Sequence, residues 1–276
     1  MFGTAEQRRP RRSVSPGRQR DSEADQGTCA QGLGSVLEVQ IRAVTFDFWN
    51  TIASEPTGTM TEARRRAVAA ACEECGVAVE AERLAASLEG VARTHQSSWA
   101  EGTHFHPREG AEMLVRALGL EGAAEELVAE AFLTAGRGAE LRLAPSIGEC
   151  LASLDERGVR LGIVCDAGFT GGALLREHLD SAGLLERFSG WAFSDEVGHY
   201  KPSPQIFEAA LSALETEPAA ALHIGDLRRT DIAGAAAVGM KTVRYRALQD
   251  DPEPGVEADF VLDDHRQLPQ LLERLG

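Results

Sequence analysis

The stretch Ala43–Ile52, AVTFDFWNTI, decides the predicted fold of this chain of 276 residues. Residues 44–46 are β-branched or aromatic, which favours a short buried strand. This strand places Asp47 at its carboxyl end, and the pair Asn50-Thr51 then supplies turn-forming residues. Ligands bind at the carboxyl ends of strands in open parallel α/β sheets. We therefore interpret Asp47 as a candidate site residue, with an ordinary turn-capping aspartate as the alternative.

Composition limits the classes of partner. Apolar residues make up 43% of the chain, enough for a packed core, and the formal charge of −15 disfavours a nucleic-acid partner. No apolar run approaches the length of a membrane span. Five cysteines without framework spacing predict a reducing compartment, so we expect a cytoplasmic protein. An acidic protein that handles an anionic substrate needs a metal ion or a few placed cations, and the chain has only two lysines, Lys201 and Lys241.

The pattern divides the chain into three parts. Residues 1–36 are rich in Arg, Ser, Gly and Gln without apolar periodicity, and we predict that they are disordered. Residues 55–143 are dominated by helical periodicity, which predicts an inserted helical domain rather than a simple crossover. Residues 37–54 and 144–276 alternate helix and strand, which predicts a core with a parallel sheet. Oligomeric state is left open by the sequence.

Within the helical part, four helices are predicted, at Thr61–Cys75, Ala81–His95, Glu109–Leu118 and Ala123–Thr134. Trp99 and the segment His104-Phe105-His106 are placed at a helix break. These histidines either face a substrate or are solvated loop residues. In the core, the predicted helix Ser146–Arg157 begins at Ser146 as an N-cap, with Glu149 three residues later.

Polar residues mark four strand ends of the predicted core: Asp47, the pair Cys165-Asp166, the segment before Lys201, and Asp226 with Asp231. Asp47 is a candidate nucleophile, because a carboxylate can split phosphoryl transfer into two displacements. Asp226 can share a Mg²⁺ ion with Asp47, since magnesium prefers hard oxygen ligands. Lys201 offers a compact charge to neutralise Asp47 and phosphoryl oxygens, and Asp231 can hold a metal-bound water or the lysine.

This set, in this order, resembles the haloacid dehalogenase-like superfamily of hydrolases over about residues 40–265. The most specific motifs are FDFWNT at 46–51, KPSPQIF at 201–207, and Gly225-Asp226 followed by Asp231, Gly234-Ala235 and Gly239-Met240. The resemblance implies a Rossmann-like parallel sheet core with an inserted helical cap. It also implies that the backbone carbonyl of Trp49 is a metal ligand, and that the second motif, Cys165-Asp166, contacts the substrate.

Two positions depart from the family pattern. Phosphatases of this family usually carry a second Asp, the general acid and base, where this chain has Trp49, and an indole cannot donate the proton. Either another group substitutes, the leaving group needs no proton, or catalysis is slow. The second motif usually presents Ser or Thr followed by Asn, whereas Cys165 is a weak thiol donor. Asp166 either points away from the phosphate or serves as the missing acid.

We therefore predict a Mg²⁺-dependent phosphatase that acts on a small phosphorylated metabolite through an aspartyl-phosphate at Asp47. Cys165 and Lys201 are predicted to be catalytic, and both contact the substrate with Asp166. One alternative is a metal-independent dehalogenase-like hydrolase, which shares an aromatic residue at Trp49 but lacks an acid matching Asp226. Another is a catalytically weakened binding or regulatory protein. Schiff-base chemistry by a cap lysine is excluded, because no lysine lies between residues 55 and 145.

Overall fold

A computed structural model describes residues 40–276, so the predicted disorder of residues 1–36 lies outside the described part. A six-stranded sheet forms the centre, with the strands β1 (Ala43–Phe46), β4 (Arg160–Cys165), β5 (Gly190–Phe193), β6 (Ala221–Gly225), β7 (Lys241–Tyr245) and β8 (Phe260–Leu262). Their order in the sheet is β5-β4-β1-β6-β7-β8, and every strand pair in it is parallel. The predicted parallel α/β core is confirmed.

The register of the sheet brings the predicted strand-end residues together. Phe46 of β1 lies opposite Ile163 of β4 on one side and Ile224 of β6 on the other. The backbone N–H of Asp47 continues this ladder by donating to the carbonyl of Ile224 at 2.8 Å. Because parallel strands end at the same edge, the segments after β1, β4 and β6 meet there.

The core helices alternate with these strands, as predicted: α5 (Ile147–Glu156), α6 (Gly172–Ser181), α7 (Ser194–Val197), α8 (Pro204–Ala213), α9 (Ala233–Ala237) and α10 (Gln267–Leu275). Ser146 occupies the predicted N-cap position of α5, but its side chain makes no capping hydrogen bond and its φ is 61°, in the left-handed region. Within residues 40–276, no helix has the length and apolarity to cross a membrane.

Four further helices lie between β1 and the rest of the core: α1 (Thr59–Glu74), α2 (Ala81–Glu101), α3 (Pro107–Leu118) and α4 (Ala123–Thr134). They share their own apolar cluster, with Val68, Leu114, Val128 and Phe132 almost fully buried. A short antiparallel ribbon, β2 (Ala53–Ser54) with β3 (Arg142–Leu143), pairs the two ends of this segment. The helices are present as predicted, and the assignment of residues 55–143 as a cap domain stays a prediction.

A buried histidine supports the turn that follows Asp47. Nε2 of His265 lies 2.8 Å from the carbonyl of Thr51, so this nitrogen carries the hydrogen and donates it. The imidazole stacks on Tyr245, with ring centroids 4.0 Å apart. Burial lowers the pKa of His265 to about 4, because an apolar environment disfavours the imidazolium. The ring is therefore neutral in the folded protein at neutral pH.

We expect His265 to make the protein less stable in mild acid. An unfolded histidine has a pKa near 6.5, so between pH 6.5 and 4 the unfolded chain binds a proton that the folded chain does not. The contribution of neutral His265 to the free energy of unfolding is present above pH 6.5 and is lost as the pH falls, by about 2 kcal/mol at pH 5. Urea unfolding at pH 6.5 and at pH 5 measures this loss. His265→Gln, which keeps a donor for Thr51, should lose less stability than the wild type on acidification, and an equal loss would contradict this role.

Candidate active site

A cavity of about 280 Å³ lies at the carboxyl edge of the sheet. The core contributes the acidic and basic side chains to its wall: Asp47, Asp166, Lys201, Asp226 and Asp231. Helix α2 contributes His95 and Trp99, while Trp49 and Asn50 come from the turn after β1. The strand-end residues that the sequence singled out therefore share one cavity, with the exception of Cys165.

Lys201 is the centre of this arrangement. Its ammonium donates to Oδ1 of Asp47 at 2.5 Å, to Oδ1 of Asp231 at 2.7 Å and to the carbonyl of Val164 at 3.2 Å. These bonds use all three ammonium hydrogens. Burial lowers the pKa of Lys201, but the charges of Asp231 and Asp47 outweigh it and hold the pKa well above its ordinary value. The lysine is thus a fixed positive charge beside Asp47.

Three buried carboxylates, Asp47, Asp226 and Asp231, place one oxygen each within 4.8 Å of one another. Burial, with the neighbouring carboxylates, raises the pKa of Asp47 to about 7 and that of Asp226 to about 9. Burial also raises the pKa of Asp231, but Lys201 and the hydrogen bond from His223 overcome it and leave that pKa below its usual range. With one lysine and all three acids ionised, the cluster carries a formal charge of −2.

The donor set fits a divalent cation. Oδ2 of Asp226 is buried and has no hydrogen-bond partner within the described residues, and an unpartnered buried carboxylate oxygen is costly. Lys201 occupies Oδ1 of Asp47, so the other oxygen of that carboxylate stays available. Hard carboxylate oxygens match the preference of Mg²⁺. The cavity therefore has the chemistry of a magnesium site between Asp47 and Asp226.

Asp231 is held in place by two residues of the sheet that sequence reasoning missed. Nε2 of His223 donates to Oδ1 of Asp231 at 3.2 Å, and Nδ1 of His223 accepts from the hydroxyl of Thr45 at 2.8 Å. Thr45 and His223 face each other in register on β1 and β6. Two polar residues at matching positions of otherwise apolar strands were the available signal. Asp231 accepts a hydrogen bond from Lys201 directly, which agrees with the role of holding the lysine in place.

The second motif, Cys165-Asp166, does not have the geometry of a phosphate-binding segment. Cys165 is fully buried in the hydrophobic core and is not among the residues that line the cavity. Burial raises the pKa of its thiol well above the ordinary value, so this placement gives no support to a catalytic or substrate-binding role. Asp166 lines the cavity, but Oδ1 accepts from the backbone N–H of Lys201 at 2.9 Å and Oδ2 accepts from Nε1 of Trp99 at 2.8 Å.

Helix α2 reaches the site because it continues to Glu101, where Gly102 ends it with a φ of 72°. The predicted break at Trp99 is therefore wrong. Trp99 donates to Asp166, and the guanidinium of Arg229 stacks over its indole, 4.1 Å from the ring centroid. His95, four residues earlier, lies on the same helix face and also lines the cavity. Its spacing from Val91 and Trp99 was the signal that sequence reasoning missed.

The two histidines that the sequence did single out lie elsewhere. His106 is the N-cap of α3, where its Nδ1 accepts from the backbone N–H of Arg108 at 3.1 Å. His104 packs its ring against Tyr200, with centroids 5.0 Å apart. Neither side chain is among those that line the cavity.

Comparison with known proteins establishes the family. The sequence profile of the haloacid dehalogenase-like hydrolases matches residues 41–239. This chain therefore belongs to the haloacid dehalogenase-like hydrolase family, and it is an enzyme of the hydrolase class. The resemblance inferred from the motifs at residues 46–51, 201–207 and 225–240 is confirmed.

Several relatives and solved structures are similar to this chain. A glyceraldehyde 3-phosphate phosphatase of Methanopyrus kandleri is 31% identical over 86% of this chain and 99% of the relative. A phosphoserine phosphatase of Thermus thermophilus is 35% identical over 59% of this chain and 64% of the relative. A phosphatase structure from Thermococcus onnurineus superposes with a TM-score of 0.56 at 25% identity, covering 84% of this chain and 98% of that one. A 2-haloacid dehalogenase from Pseudomonas syringae shares the fold, with a TM-score of 0.66 at 24% identity over 86% of this chain and all of that one.

Proposed function

We propose that this enzyme is a Mg²⁺-dependent phosphatase for a small phosphorylated metabolite. The observation that carries the proposal is the pair of hydrogen bonds from Lys201 to Asp47 and Asp231. They lie beside the buried carboxylate oxygen of Asp226 that has no hydrogen-bond partner. A cavity of about 280 Å³ suits a small ester rather than a macromolecule. Relatives named as phosphatases of glyceraldehyde 3-phosphate and phosphoserine support this substrate class.

The chemistry proceeds in two displacements. The carboxylate of Asp47, which lies beside the ammonium of Lys201, attacks phosphorus, and the bond between phosphorus and the ester oxygen breaks. Water then attacks the aspartyl-phosphate, the bond between phosphorus and Asp47 breaks, and inorganic phosphate leaves. Lys201 lies beside Asp47 throughout, where its charge offsets the repulsion between a carboxylate and a dianionic phosphate.

Magnesium, when bound, supplies the positive charge that neutralises the phosphoryl oxygens. The carboxylates of Asp47 and Asp226, with the backbone carbonyl of Trp49, are the residues that we assign to hold it. Asp231 acts by fixing Lys201, through the 2.7 Å hydrogen bond between them. Asp166 acts by fixing the backbone of Lys201 at the cavity wall.

We further propose that residues 55–143 form a cap over the cavity, since Trp99 and His95 of α2 are part of its wall. Closure of such a segment excludes water from the reaction. The negative charge of the chain supports a small-molecule partner rather than nucleic acid. Free thiols at all four cysteines of the described part agree with a reducing compartment, and we propose the cytoplasm.

Activity measured with and without metal separates this function from dehalogenation. A panel of phosphate esters and 2-halo acids should be assayed in Mg²⁺ and in EDTA. We expect phosphate release in Mg²⁺ alone, because Asp226 has a buried oxygen that a metal-free mechanism leaves unpartnered. Halide release that persists in EDTA would instead establish the dehalogenase-like alternative, and inactivity on the whole panel would favour a weakened binding protein.

Asp226→Asn should raise the Mg²⁺ concentration for half-maximal activity at least about tenfold, since loss of a group that only orients a metal ligand already weakens affinity by about 10–100-fold. The amide keeps the size of the side chain but removes the charge and one oxygen. Activity titrated against Mg²⁺ provides the measurement. Asp180→Asn, which removes an exposed acid at the end of α6, is the matched control. Equal half-maximal concentrations in both variants would contradict the assignment of Asp226.

A further inference from the structure

We propose that His95 transfers the protons that the missing acid at Trp49 would transfer, and that it thereby allows this enzyme to hydrolyse alkyl phosphates. The inference rests on the proposed function, and it assigns the role to a helical residue rather than to the turn after β1. Four observations carry it: the position of His95, its unpartnered nitrogen, its fixed ring, and the commitment of the other candidate groups.

The position of His95 follows from helix α2. His95 and Trp99 are one turn apart on the same face, and both line the cavity that contains Asp47. The hydrogen bond from Trp99 to Asp166 anchors this face to the sheet edge. The imidazole lies over Gly168, where an added Cβ would be 4.0 Å from Nε2.

The Nε2 atom of His95 is buried and has no hydrogen-bond partner within residues 40–276. Buried polar atoms are normally paired, so this nitrogen is available to a ligand in the cavity. Aromatic neighbours fix the ring: Phe169 at 4.7 Å, Tyr200 at 6.0 Å and Phe105 at 6.1 Å between centroids. Together they present one imidazole nitrogen in a constant orientation.

The other titratable groups of the cavity wall are committed. Both oxygens of Asp166 accept protein hydrogen bonds, and the three hydrogens of the Lys201 ammonium are all donated. Trp49 offers an indole N–H, which is not an acid at neutral pH. Asp47 and Asp226 have the roles of nucleophile and metal-holding group. His95 remains as the titratable group in the wall without an assigned partner.

The proton balance closes over one catalytic cycle. In the first displacement, protonated His95 gives its proton to the ester oxygen as the bond to phosphorus breaks, and an alcohol leaves. In the second, neutral His95 takes a proton from water as the oxygen of that water attacks the aspartyl-phosphate. Phosphate is released, Asp47 is regenerated, and His95 again carries the proton for the next ester. No further reactant is needed.

The charged surroundings of His95 are suited to the second step. Burial, and then the charges of Arg64 on α1 and His104 on the loop after α2, lower the pKa of His95. The aromatic groups packed on it from the core, Phe169 and Tyr200, carry no charge at neutral pH. A neutral imidazole at pH 7 is a competent base for water. A bound phosphate ester, which is anionic, favours the protonated form that the first step needs.

The test compares His95→Gln with wild type on two esters in Mg²⁺ near pH 7. On glycerol 2-phosphate, whose alkoxide needs a proton, we expect turnover to fall by about 10²–10⁴-fold. On p-nitrophenyl phosphate, whose leaving group needs none, we expect a rapid burst of about one p-nitrophenolate per active site, followed by slow release. When the reaction of His95→Gln is quenched with acid, the protein should carry a phosphoryl group on Asp47, which mass spectrometry detects. His199→Gln, which removes an exposed histidine outside the cavity wall, is the matched control, with neither the burst nor the loss.

Each outcome decides the matter. A variant that equals wild type on both esters overturns the role of His95 and leaves the proposed function standing. Equal losses on both esters, without a burst, also overturn it, because a structural defect has no preference for leaving group. Thermal unfolding checks the fold, and His95→Asn repeats the test with a smaller side chain. A wild type that is inactive on both esters overturns the proposed function and, with it, this assignment.

Discussion

Asp47→Asn should abolish hydrolysis, with turnover reduced by about 10⁴-fold or more, as expected when a nucleophile is removed. The amide retains the shape of the carboxylate and can still accept a hydrogen bond from Lys201, so the fold should persist. Burial raises the pKa of Asp47 to about 7, which shows that the ionised group is held at a cost to stability. The variant should therefore unfold at the same temperature as the wild type or higher.

Phosphate release and thermal unfolding of the purified variant together provide the check. Wild-type protein should incorporate the phosphoryl group at Asp47 transiently, whereas Asp47→Asn should incorporate none. Retention of more than about one per cent of wild-type turnover would show that another group attacks phosphorus. Loss of activity together with a large drop in melting temperature would attribute the defect to folding and leave the nucleophile unsupported.

Lys201→Met should both inactivate and destabilise the protein. The substitution leaves the carboxylates of Asp47 and Asp231 buried without the ammonium that now lies 2.5 Å and 2.7 Å from them. Removing one partner of a buried ion pair costs about 3–5 kcal/mol, so the free energy of unfolding in urea at pH 7 should fall by that amount. Methionine preserves most of the volume, which separates the loss of charge from the creation of a cavity.

The other lysine of the chain provides the matched control. Lys241 is half exposed and lies 3.7 Å from Asp259, and an exposed pair of this kind contributes about 1 kcal/mol or less. Lys241→Met should therefore leave both activity and stability nearly unchanged. The double variant Lys201→Met with Asp47→Asn should recover part of the lost stability, since one uncompensated carboxylate is gone. Additive losses in the double variant would contradict direct coupling of these residues.

Short strands were predictable because they are runs of β-branched and aromatic residues between glycines and polar residues. The strands Gly190–Phe193, Lys241–Tyr245 and Phe260–Leu262 are such runs. The end of helix α2 was not predicted, since serines and a tryptophan at residues 97–99 are weak helix formers. Packing of Trp99 against Asp166 and Arg229 outweighs that preference. The helix instead ends at Gly102, which adopts the left-handed conformation that favours glycine.

The acidic part of the site was predictable from the order of strand ends, because parallel strands bring their carboxyl ends to one edge. The presence of His95 and His223 in the site was not predictable from the sequence, since neither follows a strand. Their positions depend on which helix face is turned toward the sheet and which strands are neighbours, and both are tertiary properties. Cys165 is the last residue of β4, at the predicted strand end. Its side chain packs in the hydrophobic core, because successive side chains of a strand point to opposite faces of the sheet.

The contact of Trp99 with Asp166 and Arg229 has a consequence for the pace of turnover. Opening of the proposed cap by separation of α2 from the sheet edge would break a hydrogen bond to a carboxylate worth about 1.5–3 kcal/mol and a cation–π contact worth about 0.5–1 kcal/mol. An opening free energy of about 2–4 kcal/mol populates the open form at about one part in thirty to one part in a thousand. Opening at Trp99, rather than bond breaking at phosphorus, would then limit the rate of turnover. Natural variation at position 99 or 229 can therefore change the turnover rate while the catalytic residues stay the same.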